Sequence, residues 1–318
     1  MSRPTLSVIG AGQVGATVAH LALLKQLADV VLIDVVDGLA AGKALDLLQA
    51  AAVESLDVQV SGTTDFDAMA GSRIVVVTAG LARKPGMSRD DLQAANANIV
   101  GPVAERIARV APEAIVIIVT NPLDVMTHLA LTRTKFPRQR VLGMAGVLDS
   151  GRFRAFAAQE LKVSPAGISA LVLGSHGDLM VPVAGSVSVD GQPIASRLKP
   201  DAMARLVKRT RDGGAEIVSL LKTGSAYYAP ASSVIQMVQA ILHDEHRVLP
   251  AAVKLEGEYG LRDVCIGVPV EIASRGAERI IEVSLSAEDR QALHAAAKQV
   301  SAAITQLSAP PAPATAKT

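Results

Sequence analysis

A chain of 318 residues, half of them apolar and 19% charged, has the hydrophobic mass for a sizeable core, in one large domain or about two ordinary ones. Its formal net charge of +1 argues against the basic excess of a nucleic-acid binder and against the composition of a disordered chain. Cys265 is the single cysteine, so no intrachain disulfide is possible and a reducing compartment fits; without Trp, and with three Tyr and four Phe, the core must be built from Ala, Val, Leu and Ile.

Pro4 to Leu24 is uncharged and follows Arg3, yet Gly10, Gly12, Gln13, Gly15 and His20 interrupt it. No other stretch approaches ~18 uninterrupted apolar residues, so the sequence predicts no membrane span and a cytoplasmic protein. Short apolar runs at Leu6–Ile9, Val30–Ile33, Ile74–Val77 and Ile115–Val119 have the length of buried strands. Helical spacing fills Val14–Gln26, Gly38–Ala50 and Asp90–Val110. Strands buried on both faces and separated by helices predict an α/β fold with a doubly wound parallel sheet. Further on, Val187–Val189 and Gln192–Ile194 flank Asp190-Gly191, a hairpin signal. Val253–Leu255 and Val264–Val268 read as more antiparallel strand. Helical patterns cover Asp201–Leu221 and Ser232–Leu242, and a last helix starts near Ser286, with Asp289 completing a capping-box pattern. This change of pattern predicts a Rossmann domain over residues 1–145, an α+β substrate domain with antiparallel strands over 146–308, and a disordered Ala/Pro-rich tail over 309–318.

The chemistry-bearing residues follow the strands. Gly10-Ala11-Gly12-Gln13-Val14-Gly15 has the G-x-G-x-x-G spacing between a strand and a helix. Gly10 allows the tight turn, Gly12 leaves room for a pyrophosphate, and Gly15 lets helix and strand pack closely. The helix amino terminus then offers free N–H groups to phosphates. Asp34 closes the second run where a carboxylate accepts hydrogen bonds from the adenine ribose and repels a 2′-phosphate, which favours NAD over NADP. Arg83 and Arg89 flank Pro85-Gly86 after the third run; they read as a carboxylate-binding pair or, equally, as an exposed basic loop. Asn121, in Thr120-Asn121-Pro122, bonds a substrate oxygen or merely holds the turn. Asp149 and Arg152 stand three apart at a helix start, as site residues or as a structural ion pair. Gly174-Ser175-His176-Gly177-Asp178 is the sharpest local feature, because a histidine between glycines is suited to be an exposed, positioned acid–base group. The other histidines lie in helical or polar patterns, and no Cys/His cluster suggests a metal site.

Taken together, GAGQVG, Asp34, Ala82-Arg83-Lys84-Pro85-Gly86-Met87-Ser88-Arg89, Thr120-Asn121-Pro122, Val147-Leu148-Asp149-Ser150-Gly151-Arg152 and Gly174-Ser175-His176-Gly177-Asp178 resemble the lactate/malate dehydrogenase family. They do so in family order over roughly residues 4 to 306. The lid motif and Lys222-Thr-Gly-Ser-Ala-Tyr-Tyr-Ala-Pro-Ala231 are similar to the malate-specific branch nearer in sequence to lactate dehydrogenases. The resemblance implies an NAD-dependent oxidoreductase acting on malate and oxaloacetate, a step of the tricarboxylic acid cycle, with no nucleic-acid or membrane partner. It implies a homotetramer, with a dimer as the alternative. It makes His176 the proton acceptor and donor, Asp149 its orienting carboxylate, and Arg152 the ligand of the carboxylate next to the reacting carbon. Arg89 polarises the carbonyl, Arg83 binds the distal carboxylate, and Asn121 contacts substrate near the nicotinamide. Gly10, Ala11, Gly12, Gln13, Val14, Gly15, Asp34, Asn96, Val119, Thr120 and Asn121 line the cofactor site. Gly151, where Ala is common, and Val183-Ala184-Gly185 depart from the pattern. A lactate or other 2-hydroxy acid dehydrogenase is the alternative, which Arg83 disfavours. A non-catalytic dinucleotide sensor is a second, disfavoured by the complete set of catalytic groups.

Overall fold

The computed structural model describes residues 3–82 and 87–308; Arg83 and the tail 309–318 lie outside the described residues. Strands β1 (Thr5–Ile9), β2 (Asp29–Ile33), β3 (Val60–Thr63), β4 (Ile74–Val77), β5 (Ile115–Ile118) and β6 (Val141–Gly143) alternate with helices α1 (Gln13–Leu24), α2 (Leu39–Val53), α3 (Arg89–Val110) and α4 (Leu123–Thr134). They form a parallel sheet in the order β3-β2-β1-β4-β5-β6. β4 and β5 are apolar along their whole length because helices cover both faces, and all four residues of each are buried. α3 begins at a capping box that the sequence reading passed over. Ser88 Oγ accepts the Asp91 N–H at 3.0 Å and the Asp91 carboxylate accepts the Ser88 N–H at 3.1 Å.

The second half contains α5 (Gly146–Leu161), β7 (Ile168–Ser169), β8 (Val172–Gly174), β9 (Met180–Pro182), β10 (Ser188–Val189) and β11 (Gln192–Pro193). There follow α6 (Pro200–Leu221), α7 (Tyr228–Leu242), β12 (Arg247–Glu256), β13 (Arg262–Ala273), β14 (Gly276–Ile280) and α8 (Ala287–Ser308). Its antiparallel strands do not form a sheet wholly of their own. β12 pairs antiparallel with β6 through Ala252 and Gly143, and the large sheet continues β12-β13-β8-β9, with β14 on β13. Only β7, β10 and β11 form a separate three-stranded sheet, carrying the expected Asp190-Gly191 hairpin. Beneath it lies a second core cluster around Phe153, Ile168, Met180, Val189 and Leu206. β3 and β6 were not legible as apolar runs: β3 is a half-exposed edge strand, Val-Ser-Gly-Thr, and β6 has three residues.

This topology gathers the candidate residues. The carboxyl ends of β1, β2, β4 and β5 carry the Gly10 turn, Asp34, the Ala79-Gly80 segment and Thr120-Asn121, as expected for a doubly wound sheet. The His176 loop leaves β8, which meets β13 at one register pair, Gly174 opposite Gly267. A Cβ on Gly267 would stand 2.7 Å from the Gly174 carbonyl oxygen, so β8 can sit this close only against glycine. Gly267→Ala should therefore lower stability by about 1–3 kcal/mol in urea unfolding. It should also lower turnover more than NADH affinity, because it displaces the root of the His176 loop and leaves the Gly10 turn alone.

Candidate active site

The phosphate turn is built by close approach. Gly10 has φ +102°, and a Cβ there would lie 2.6 Å from the Ala79 nitrogen. A Cβ on Gly15 would lie 1.9 Å from the Gly10 oxygen, and Thr78 Oγ1 donates to that same oxygen at 2.9 Å. Gly12 differs: it is the N-cap of α1, no side chain caps it, and its Cβ direction meets nothing within 4 Å. That leaves uncapped first-turn amides, a positive dipole end and no acidic residue in the first turn beside open space, which fits a dinucleotide pyrophosphate. Asp34 Oδ2 accepts the Ala11 N–H at 2.7 Å and its Oδ1 accepts the Val36 N–H at 3.0 Å, so this carboxylate is tied to the glycine turn. The remaining candidates on this side are knit together. Thr120 Oγ1 donates to the Ala79 oxygen at 2.7 Å. Asn96, fully buried, accepts the Leu81 N–H at 2.7 Å and donates to the Leu81 and Asn121 carbonyls at 3.1 and 2.6 Å. Its amide holds these two loops in register.

His176 and Arg152 meet around one buried carboxylate. Asp149, in the first turn of α5, has a side chain 2% exposed; its Oδ2 lies 2.9 Å from His176 Nδ1 and its Oδ1 accepts from Arg152 at 3.3 Å. Burial alone pushes the His176 imidazolium down, but the Asp149 charge and hydrogen bond outweigh it and raise the pKa above the usual histidine range; Arg152 opposes and Asp124 adds a smaller push upward. Burial lowers the Arg152 pKa and the Asp149 charge opposes this, yet a guanidinium remains cationic at any working pH. α6 makes room for it: a Cβ on Gly213 would stand 3.3 Å from Arg152 Cδ. Arg89, at the start of α3, forms an ion pair with Asp178, two residues along the loop from His176; both side chains are exposed. Arg83 lies outside the described residues. Among the described residues no group of three His, Cys, Asp or Glu side chains is placed to hold a metal ion, and no helix is long and apolar enough to cross a membrane.

The sequence reading passed over Asp124, and it quoted Ser175 and Asp178 beside His176 without their partners: Asp178 pairs with Arg89, and Ser175 bonds Asp124. Asp124 lies three residues past Asn121 in the Thr120-Asn121-Pro122 segment, and only the tertiary fold brings it under the histidine.

A doubly wound sheet with a glycine turn, and an imidazole held by a buried carboxylate beside a guanidinium, define a dinucleotide-dependent dehydrogenase. The NAD-binding domain model of the lactate/malate dehydrogenases matches residues 5–143, and the alpha/beta C-terminal domain model of the same group matches residues 146–309. The chain belongs to the lactate/malate dehydrogenase family. It is 53% identical to a malate dehydrogenase of Chloroherpeton thalassium over 296 residues, which is 93% of this chain and 96% of that one. In structure it is similar to Cryptosporidium parvum malate dehydrogenase, with a TM-score of 0.94 at 39% identity, covering 96% of this chain and 99% of that one. It is as similar to the lactate dehydrogenase of Cryptosporidium parvum complexed with lactic acid and nicotinamide adenine dinucleotide, with a TM-score of 0.95 at 37% identity, covering 98% and 100%.

Two outcomes follow from this geometry. Asp149→Asn should lower the His176 pKa, since the raising charge is removed; an NMR titration of the ring reads it, and an unmoved value would detach Asp149 from this role. Gly12→Val should weaken NADH binding sharply with little change in Tm, because the added methyls enter open space and not the protein.

Proposed function

We infer that the chain is an NAD-dependent malate dehydrogenase, catalysing the reversible reaction (S)-malate + NAD⁺ ⇌ oxaloacetate + NADH + H⁺. The observation that carries this reading is the single buried carboxylate of Asp149 shared by His176 at 2.9 Å and Arg152 at 3.3 Å. Relatives about half identical to the chain along nearly all of it are malate dehydrogenases, which supports the diacid over a 2-hydroxy monoacid.

When bound at the glycine turn, NAD supplies the acceptor for the hydride lost by the malate carbinol carbon. The protein positions the substrate and moves the proton. Donation of His176 Nδ1–H to Asp149 fixes the tautomer and leaves Nε2 to take the malate hydroxyl proton, and to return it in the reverse direction. A single positioned base of this kind contributes roughly 10²–10⁴-fold. Asp149 stabilises the imidazolium that forms. Arg152 keeps donors of its fork for the carboxylate beside the reacting carbon. Arg89 leaves Asp178 to stabilise charge on the developing alkoxide, an electrostatic contribution of comparable size. Asn121 contacts substrate next to the nicotinamide. Gly10, Ala11, Gly12, Gln13, Val14 and Gly15 hold the pyrophosphate, Asp34 the ribose, and Val119 and Thr120, braced by Asn96, the nicotinamide end.

Selection between acids falls to Arg83. A guanidinium enclosed with substrate needs an anion: oxaloacetate supplies its distal carboxylate and pyruvate does not. An unpaired enclosed charge costs about 3–5 kcal/mol, or roughly two to three decades of discrimination. We read the reaction as a tricarboxylic acid cycle step in the cytoplasm. We read the assembly as a homotetramer, with a dimer as the alternative, and the exposed Leu45 and Leu48 of α2 support self-association.

NADH oxidation with oxaloacetate and with pyruvate, measured side by side, tests the reading; a preference for pyruvate would overturn it. In Arg83→Gln the oxaloacetate-to-pyruvate ratio of kcat/KM should fall about 100-fold or more, and an unchanged ratio would remove Arg83 from substrate choice. His176→Asn should bind NADH normally and lose turnover by about 10²-fold or more.

A further inference from the structure

Asp124 is an ionisable group that the proton transfer above does not use. It sits in the first turn of α4, 3% exposed. Its Oδ2 accepts the Ser175 hydroxyl at 2.6 Å and the main-chain N–H of His176 at 3.2 Å. Its Oδ1 is buried without a hydrogen-bond partner. A carboxylate in such a place loses hydration that two hydrogen bonds replace only in part, so it persists where its bonds do something for the fold or the site. Here both bonds end on the dipeptide that carries the imidazole. His176 is therefore gripped twice, at its ring by Asp149 from α5 and at its main chain by Asp124 from α4.

Charge follows the same geometry. Burial pushes the Asp124 carboxyl up to about 6; the Ser175 and His176 hydrogen bonds and the His176 charge hold it down, and the Asp149 charge pushes it further up. The groups that face this pair are Asp149 and Arg152 from α5, His176 itself, and Cys265 from β13, whose thiol is raised by burial and then by the Asp124 charge. Lys254 of β12, ion-paired with Asp263, lowers the pKa of both Cys265 and His128 of α4 through its charge.

We propose that Asp124 is a positioning residue for the dehydrogenase reaction: with Ser175 as its brace it holds the main chain of His176, and its negative charge supports the imidazolium. The proposal rests on the assignment of His176 as the acid–base group. It adds a link between the two halves of the site, because Asp124 follows the Asn121 turn on the cofactor side and ends on the loop of the proton-transfer side.

Asp124→Asn is the discriminating variant, because an amide oxygen still accepts from Ser175 and His176 while the charge is gone. The pH profile of kcat/KM for oxaloacetate reduction needs protonated His176, so its alkaline limb follows the histidine. Removing a charge that raises the histidine should move that limb to lower pH by roughly half a unit to one unit. The acid limb of malate oxidation should move the same way. A uniform loss at every pH, with both limbs in place, would mean that Asp124 only supports the fold and would overturn the proposal. Ser175→Ala removes the brace, and with it the hydrogen bond that helps keep Asp124 ionised. It should lower kcat about tenfold with NADH affinity kept, any movement of the limbs being toward lower pH, and Ser175→Thr, which retains the hydroxyl, should restore most of it; wild-type kcat in Ser175→Ala would also overturn the proposal, even if Asp124→Asn failed to fold. NMR titration of the His176 ring in Asp124→Asn reads the same charge effect without turnover. If the unaltered chain failed to reduce oxaloacetate, the malate reading would fall while this titration still decided the role of Asp124.

Discussion

A carboxylate sealed from water has to be matched by positive charge or by donors, and the site is arranged around that requirement at Asp149. Its two oxygens reach His176 and Arg152, so the imidazole and the guanidinium are fixed relative to each other by one side chain. The rest of the second half serves this meeting. α5 carries Asp149 and Arg152 one helical turn apart. The glycines where β8 meets β13 let the His176 loop come close, and Gly213 in α6 leaves room for the Arg152 stem. An imidazole so held favours its charged form more than a free histidine does, because the Asp149 charge and hydrogen bond outweigh burial.

The cofactor half obeys a different constraint, the distance between backbones. Gly10 and Gly15 are required because neighbouring main chain occupies the space of a side chain, whereas the space beside Gly12 is open and leaves the first-turn amides of α1 accessible. Asp34 closes this half by bonding the glycine turn. Asn96 and Thr120 then stitch the Ala79–Leu81 segment to the Asn121 turn, tying the ends of β4 and β5 together. The same overall fold serves malate and lactate dehydrogenases, so the scaffold by itself does not set the choice of acid.

The placement of Asp124 adds a connection between these halves. It stands beyond the cofactor-side turn in the chain and beneath the catalytic loop in space, and it makes the main chain of His176 as well determined as its ring.

Much of this was written in local pattern. Apolar runs of strand length and helical spacing mark β1, β2, β4, β5 and their helices, because burial on both faces or on one stripe dictates residue type position by position. The glycine turn, Asp34 and the glycine-flanked His176 are likewise local: a φ only glycine tolerates, or a group exposed by its neighbours, is visible within six residues. The edge strand β3 and the three-residue β6 left no such trace, since half-exposed or very short strands impose no apolar run. Nor did the joining of β12 and β13 to the parallel sheet, the pairing of Arg89 with Asp178, or the meeting of Asp124 with His176. These depend on which surfaces meet once the chain is folded, between residues as many as 109 positions apart in the case of Ala252 and Gly143. The sequence alone thus determined which groups the protein has for its chemistry, and the tertiary structure decided which carboxylate each of them answers to, because charge and hydrogen bonding act through space and not along the chain.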